Sequence, residues 1–349
     1  FFYSKYKITN IFFLNLKKKK FNIIDENQIN ENINKDYRLK KYKSKIVLFD
    51  LIKKTLVIDK KLSLIFEYLK NYMKSNNIKN CIWSCDPDSI AANVIQYLRK
   101  KNIKIYGIQH GGAYNVIDYS VLHNLSDFNF CDKFLSYGNS KSIKDKKIIN
   151  FGSFKSLYYL RNKKNLNSRD DKKLKILFIV GGINEVFLNK NSFIDQYNFQ
   201  KNVCEFLNKK NINPIIKIPK NISILNFPII NKINNDYKNF IVSEKKIFQE
   251  INNSNPKIII LDRLSTTLYE CLFYDSNIIL FLDKKEKPYK DVLQILKKRV
   301  YIVYNLYEFK NVFEKLLKTK INYQDNSFLK KYFLLKHNKQ NKELLKKLY

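Results

Sequence analysis

Short apolar runs alternate with stretches of helical period along most of this chain, and that alternation limits what it can fold into. Cys81–Ser84, Ile103–Gln109, Lys133–Tyr137 and Ile148–Phe151 read as strands. Between the first two, Ile90–Lys101 reads as a helix with Ala91, Val94, Ile95 and Leu98 on one face. Strand, helix, strand at this spacing is the right-handed crossover unit of a parallel sheet. The pattern restarts at Leu174–Val180, a continuous apolar run that suits a strand buried on both faces. Ile212–Ile218, broken by Pro214, then Phe240–Val242, Pro256–Leu261 and Asn277–Leu282 extend the series. Helices are expected over Leu62–Met73, Ser120–Phe130, Phe199–Lys210, Ile247–Asn252, Ser265–Tyr274, Tyr289–Lys298, Leu306–Lys318 and Phe328–Leu348. Ile46–Leu51 fits either a strand or a helix start.

Residues 155–173 are rich in Lys, Asn, Arg and Asp, show no apolar period, and mark the expected domain boundary. The chain then divides into an α/β domain over 1–154, a second over 174–325, and a C-terminal helix over 326–349. A length of 349 residues agrees with two domains. No methionine opens the chain, and residues 1–45, with Lys17–Lys20 and the Asn-rich stretch Asn27–Asn34, read as a solvated loop or a domain edge. The first domain is therefore expected to be truncated.

The formal charge of +35 invites a nucleic-acid reading. Lysine supplies nearly all of the excess; arginine occurs only at 38, 99, 161, 169, 263 and 299. Phosphate and base recognition usually enlists arginine for its bidentate fork, so no nucleic-acid partner is expected. An anionic nucleotide-sugar, or peripheral contact with an anionic membrane, accounts for the same charge. Cys81, Cys85, Cys131, Cys204 and Cys271 show no paired metal spacing and suit a reducing compartment such as the cytoplasm. No apolar run approaches transmembrane length.

Within this frame the stretch Ile103–Gly112 stands out. A buried strand ends in Gln109 and His110, then in Gly111 and Gly112, which let a ligand approach the main chain. Open α/β sheets bind ligands on that edge. His110 has the ordinary pKa of a general base near neutrality; a structural histidine or a phosphate donor is the other reading. The stretch Asp262 to Glu270 follows a buried strand and opens a helix. Ser265, Thr266 and Thr267 there can bond phosphate oxygens. A capping box between Thr267 and Glu270 is the plainer explanation, though it uses one hydroxyl of three. Glu270 can also accept from a ribose hydroxyl. Lys217 and Lys220 flank a strand end and could neutralise a diphosphate. Gly181 and Gly182 resemble half of a dinucleotide fingerprint. Asp86 and Asp88 read as a turn and a cap, His123 and His337 carry no signal, and nothing calls for a metal or another cofactor.

Tyr106-Gly107-Ile108-Gln109-His110-Gly111-Gly112, followed by Cys131 to Gly138, resembles a family of surface-carbohydrate transferases marked by a Gln-His-Gly-Gly motif. That family is similar in architecture to GT-B glycosyltransferases, CDP-glycerol glycerophosphotransferases included. Ser265-Thr266-Thr267 with Glu270 resembles the phosphate-binding helix of the group. The resemblance implies two Rossmann-like domains facing across a cleft. It puts catalytic His110 with Gln109, Gly111 and Gly112 on the acceptor side, and Ser265, Thr266 and Thr267 on the donor phosphates. The expected activity is metal-independent transfer of a sugar or polyol-phosphate from a nucleotide-sugar or CDP-polyol donor to a saccharide or lipid-linked acceptor. Two alternatives stay open: a UDP-sugar epimerase-type enzyme, and a basic nucleic-acid or membrane-binding module with a degenerate cleft.

Overall fold

The computed structural model describes residues 11–13, 62–83, 89–109, 111, 114, 116–117, 130–141, 145–162, 174–181, 190–218, 228–283, 287–318 and 325–348. The expectations for Ile46–Leu51, Ser120–Phe130 (its last residue apart), Lys17–Lys20, Asn27–Asn34, Asp86 to Asp88, Cys85 and His123 lie outside them.

The first sheet holds β1 (Ile11–Phe13), β2 (Asn80–Trp83), β3 (Lys104–Ile108), β4 (Lys133–Ser136) and β5 (Ile148–Asn150). These lie side by side in chain order, all parallel. Helix α1 over residues 62–76 buries Leu62, Ile65 and Leu69, a helical stripe. Helix α2 (Ser89–Lys100) buries Ala91, Val94, Ile95 and Leu98, the face the periodicity predicts.

The second sheet holds β6 (Ile176–Ile179), β7 (Ile215–Lys217), β8 (Ile241–Ser243), β9 (Ile258–Leu261), β10 (Asn277–Phe281) and β11 (Tyr301–Val303). It is also all parallel, but its order is β11-β10-β9-β6-β7-β8. The winding therefore reverses between β6 and β9. Doubly wound sheets bind ligands at such a reversal, outside the carboxyl ends of the strands. Among the described strands the first sheet has no reversal. β6, β9 and β10 are buried along their full lengths, as parallel strands covered on both faces must be. The covering helices include α4 (Lys190–Lys209), α5 (Pro228–Asp236), α6 (Ile247–Ser254), α7 (Thr266–Cys271), α8 (Lys290–Leu296) and α9 (Leu306–Lys318).

Residues 155–173, read as the domain boundary for want of an apolar period, open with helix α3 (Lys155–Asn162). Its buried face is only Ser156 and Tyr159, too small to leave an apolar period in so polar a segment. Phe328–Leu348 was expected to be one helix, but it divides into α10 (Ser327–Tyr332) and α11 (Lys339–Leu348). The intervening backbone bonds to the first half of the chain instead of to itself. The Ser153 amide donates to the Phe333 carbonyl at 2.8 Å, and the Lys336 amide donates to the Phe151 carbonyl at 2.9 Å. Gly152 makes this approach feasible. Its φ is +90°, and a Cβ there would stand 2.2 Å from the Leu334 carbonyl oxygen.

The two halves share buried surface. Val116, Ile117, Tyr137 and Tyr159 belong to one apolar cluster with Leu261, Tyr269, Phe273 and Phe333. An antiparallel bridge pairs Ile117 with Pro288. Asp291 on α8 accepts from the Ser140 hydroxyl at 2.6 Å and from the Lys141 amide at 3.1 Å, both in the first half.

Candidate active site

A cleft of about 660 Å³ opens at the reversal point of the second sheet. Parallel register brings its parts level: Ile179 of β6 lies opposite Leu261 of β9 on one side and Lys217 of β7 on the other. The residues just past these positions, Val180-Gly181, Asp262-Arg263 and Ile218, form the floor. The start of α7 adds Ser265, Thr266 and Thr267, and Glu270 lies one turn further on. Residues 244–248, after β8, close one side. Lys155, Tyr158 and Tyr159 of α3 join them, both tyrosine rings packing against Phe248.

The hydroxyls at the start of α7 are not engaged in capping. The N-cap is Ser265, in extended conformation (φ −147°, ψ 179°), and its side chain makes no capping bond. Thr267 already lies inside the helix, so the capping box with Glu270 does not form. Glu270 instead lines the cleft with Tyr159, Lys155 and Lys217. Burial pushes the Glu270 carboxyl above its ordinary value; the nearby Tyr159 hydroxyl and the charges of Lys155 and Lys217 pull the other way.

Lys217 is buried rather than solvated, with 6% of its surface exposed, and its ammonium donates to the Ile218 carbonyl. Burial pulls it below its ordinary value, opposed by the charges of Glu250, Glu244 and Glu270. A buried cation at the end of a central strand differs from the many surface lysines of this chain. Among the described lining residues, Lys155, Lys217, Lys245, Lys246 and Arg263 outnumber the carboxylates Glu244, Asp262 and Glu270. The cleft is therefore suited to an anion.

Gly181 enters differently from its expected role. Its amide does not face a ligand but donates to the Asp262 carboxylate at 2.9 and 3.0 Å. Asp262 also accepts from Gln196 Nε2 at 3.1 Å and Gln200 Nε2 at 2.6 Å, so its charge is spent within the framework. A Cβ at 181 would stand 2.3 Å from Arg263 Nε, so the flexible arginine side chain would have to move aside for it. Gly182 lies outside the described residues.

On the first sheet, Gln109 is buried at the end of β3. Its side chain donates to the Gly111 carbonyl at 2.6 Å and accepts from the Tyr137 amide at 2.8 Å. Gln109 therefore fastens the glycine loop to the end of β4. Neither Gln109 nor Gly111 is among the described residues lining the cleft. His110, Gly112 and Lys220 lie outside the described residues.

Arg263, Lys155 and Tyr159 were not picked out from the sequence. Arg263 carried a usable signal, as one of six arginines directly after a buried strand. Lys155 and Tyr159 carried none, because only folding brings α3 to this cleft.

The architecture defines the class: an α/β protein of two Rossmann-like halves, each built on a parallel sheet, GT-B-like. Among solved structures, a Listeria monocytogenes protein described as a UDP-N-acetylglucosamine 2-epimerase is similar at TM-score 0.54 and 9% identity, over 82% of this chain and 77% of that one. The UDP-GlcNAc 2-epimerase of Methanocaldococcus jannaschii, in complex with UDP-GlcNAc and UDP, is similar at TM-score 0.52 and 11% identity, over 83% and 81%. At such identities the likeness concerns the fold alone. A weaker likeness, TM-score 0.41 at 10% identity over 79% and 73%, is to the spinosyn rhamnosyltransferase SpnG complexed with spinosyn aglycone. The comparison with curated proteins gives no match. The profile of the LIC12162 family transferases matches residues 1–299, and the chain belongs to that family.

Proposed function

We propose that this transferase moves a sugar or polyol-phosphate group from a nucleotide-activated donor to a hydroxyl acceptor, in the synthesis of cell-surface polysaccharide. The observation that carries the reading is the cleft at the β6–β9 reversal, where Lys217, Arg263 and three uncommitted-to-capping hydroxyls converge. Ser265, Thr266 and Thr267 would bond the donor phosphates. Lys217 and Arg263 would neutralise them as the bond to the transferred group breaks and its electron pair passes to the leaving phosphate. Preorganised charge of this kind needs no rearrangement during the reaction, and no metal is assigned to the step. Glu270 would accept from a ribose hydroxyl. His110, next in the chain to the anchored Gln109, would take the proton of the attacking acceptor hydroxyl. The acceptor in this reading is a saccharide or a lipid-linked saccharide. The enzyme would work in the cytoplasm, with its net positive charge favouring peripheral contact with the inner face of the membrane.

The likeness to UDP-sugar epimerases favours a second reading, a UDP-sugar epimerase. A thermal-shift screen of CMP, CDP, UDP, GDP and their sugar conjugates tests both, since a ligand that binds only the folded state raises its melting temperature. Transfer of the group from the stabilising conjugate to an added saccharide supports the first reading. Epimerisation of a UDP-sugar with no acceptor present supports the second. Failure of every nucleotide to bind excludes both.

A further inference from the structure

The glycine loop of the first half is gripped at both ends by one short segment of the second half, residues 288–291. At the loop's exit, Ile117 pairs with Pro288 in an antiparallel bridge, and the Tyr289 amide donates to the Val116 carbonyl at 3.1 Å. Proline fits at 288 because that bond is made by the next residue, so the N–H it lacks is not called on. Val116 and Ile117 are buried in the apolar cluster that also holds Val292 and Leu296 of α8. Tyr114, two residues before Val116, is buried in the first half instead, stacked on Phe134 of β4 with ring centres 5.9 Å apart. Residues 109–117 thus begin in one half and end in the core of the other.

At the loop's entry the link runs through side chains. Asp291 accepts from the Ser140 hydroxyl at 2.6 Å and from the Lys141 amide at 3.1 Å, which fixes the chain just after β4. Asn139, next to Ser140, places its Oδ1 2.5 Å from the Ser136 hydroxyl, and that hydroxyl lies 3.3 Å from Gln109 Oε1. Gln109 in turn bonds the Tyr137 amide and the Gly111 carbonyl. Gln109, Ser136 and Ser140 are buried. Such groups keep one arrangement, because an unmade bond costs each of them its desolvation. We propose that residues 288–291, with Asp291 as the positioning side chain, set the place of the Gln-His-Gly-Gly loop, so that the second half holds a loop which the first half carries.

This inference rests on the transferase reading, in which the loop supplies His110, and adds the residue that holds the loop in place. None of the residues that form the link is among the described residues lining the anion cleft. Loss of the link should therefore act on turnover and spare donor affinity. Asp291 also meets the C-terminal return, where Lys331 Nζ donates to it at 3.3 Å and the Tyr332 hydroxyl at 3.4 Å. The Lys331 contact does not lead to the loop and serves as the control.

The test combines hydrogen exchange, read by mass spectrometry, with kinetics on wild type, Asp291→Asn, Ser140→Ala and Lys331→Gln. Ser140→Ala is the milder variant: it removes the 2.6 Å bond and leaves Asp291 in place. Peptides from β6 and β9 report any general loosening. Relative to them, the peptide covering 106–117 should exchange about tenfold faster in Asp291→Asn and Ser140→Ala, as for a lost hydrogen bond to a charged group, and at the wild-type rate in Lys331→Gln. Turnover of the sugar conjugate selected by the thermal-shift screen should fall about ten- to a hundredfold in the first two variants, as for a displaced catalytic group, with nucleotide affinity within about twofold of wild type. Exchange over 106–117 that rises no more than that of β6 and β9 would overturn the positioning role and leave the donor reading intact. Faster exchange there with unchanged turnover would overturn it as well. A wild type that binds no nucleotide would overturn the donor reading, and exchange over 106–117 would still decide whether residues 288–291 hold the loop.

Discussion

Asp262 accepts the backbone amide of Gly181 through both carboxylate oxygens, at 3.0 and 2.9 Å, across the reversal between β9 and β6. That contact fixes the floor of the cleft. It sets the chain after β6 against the chain after β9, and Arg263 then lies over Gly181 in the space a side chain would fill. Gln196 and Gln200, one turn apart on α4, complete the set of donors.

Replacement of Asp262 by alanine strips three buried or half-buried donors of their acceptor. Unsatisfied buried donors are costly, so Asp262→Ala should lose about 2 to 4 kcal/mol of stability. Urea denaturation followed by circular dichroism checks this; a loss below about 0.5 kcal/mol would show that the network is not structural.

The Thr266→Ala, Thr267→Ala pair should behave in the opposite way. Neither hydroxyl caps α7, so stability should change by less than about 0.5 kcal/mol, where a lost cap would cost about 1 kcal/mol. Nucleotide affinity should fall about 10- to 100-fold if these hydroxyls hold phosphate. Melting curves with and without nucleotide separate the two effects.

His110→Ala should lower transfer about a hundred- to ten-thousand-fold while nucleotide affinity stays within about twofold of wild type. Lost affinity with unchanged turnover at saturation would rule out the base role. Steady-state kinetics alongside binding measurements decide between them.

The contact between the halves should be acid-sensitive. Burial raises the Asp291 carboxyl, but hydrogen bonds from the Ser140 hydroxyl, the Lys141 amide and Lys331, with the Lys331 charge, more than offset it and hold the carboxyl at about 2, below its ordinary 3.8. In that interval the unfolded chain binds the proton more tightly than the folded one. The stabilisation is thus complete above 3.8 and is lost as pH falls toward about 2. Asp291→Asn should be less stable than wild type near neutrality and should lose less on acidification over that interval. Melting temperatures from pH 7 to pH 2 give the comparison, and parallel curves for the two proteins would exclude this role for Asp291.

The alternation of apolar runs and helical periods was enough to identify parallel α/β architecture, because each run reports only on its own burial. Leu177, Phe178, Ile258, Ile259 and Ile260 are fully buried, and a strand covered on both faces needs that uniform composition whatever its neighbours are. The hydroxyl triplet after β9 was legible for a related reason: three polar side chains in a row after a buried strand leave the sheet together at its edge. What the residues at 155–162 do was not legible. A helix that buries only Ser156 and Tyr159 leaves no pattern, and the partners of Tyr159 are contributed by segments about ninety or more residues away.

Local sequence thus determined most of the strands and helices, and where the glycines and hydroxyls stand along them. Only the tertiary structure decided that β6 lies beside β9, that α3 joins the cleft, that the Gly181 amide is consumed by Asp262, and that the chain after α10 returns to the first half. Strand order and segment docking depend on contacts between residues far apart in the chain, and periodicity within one segment carries no information about which distant segment it meets.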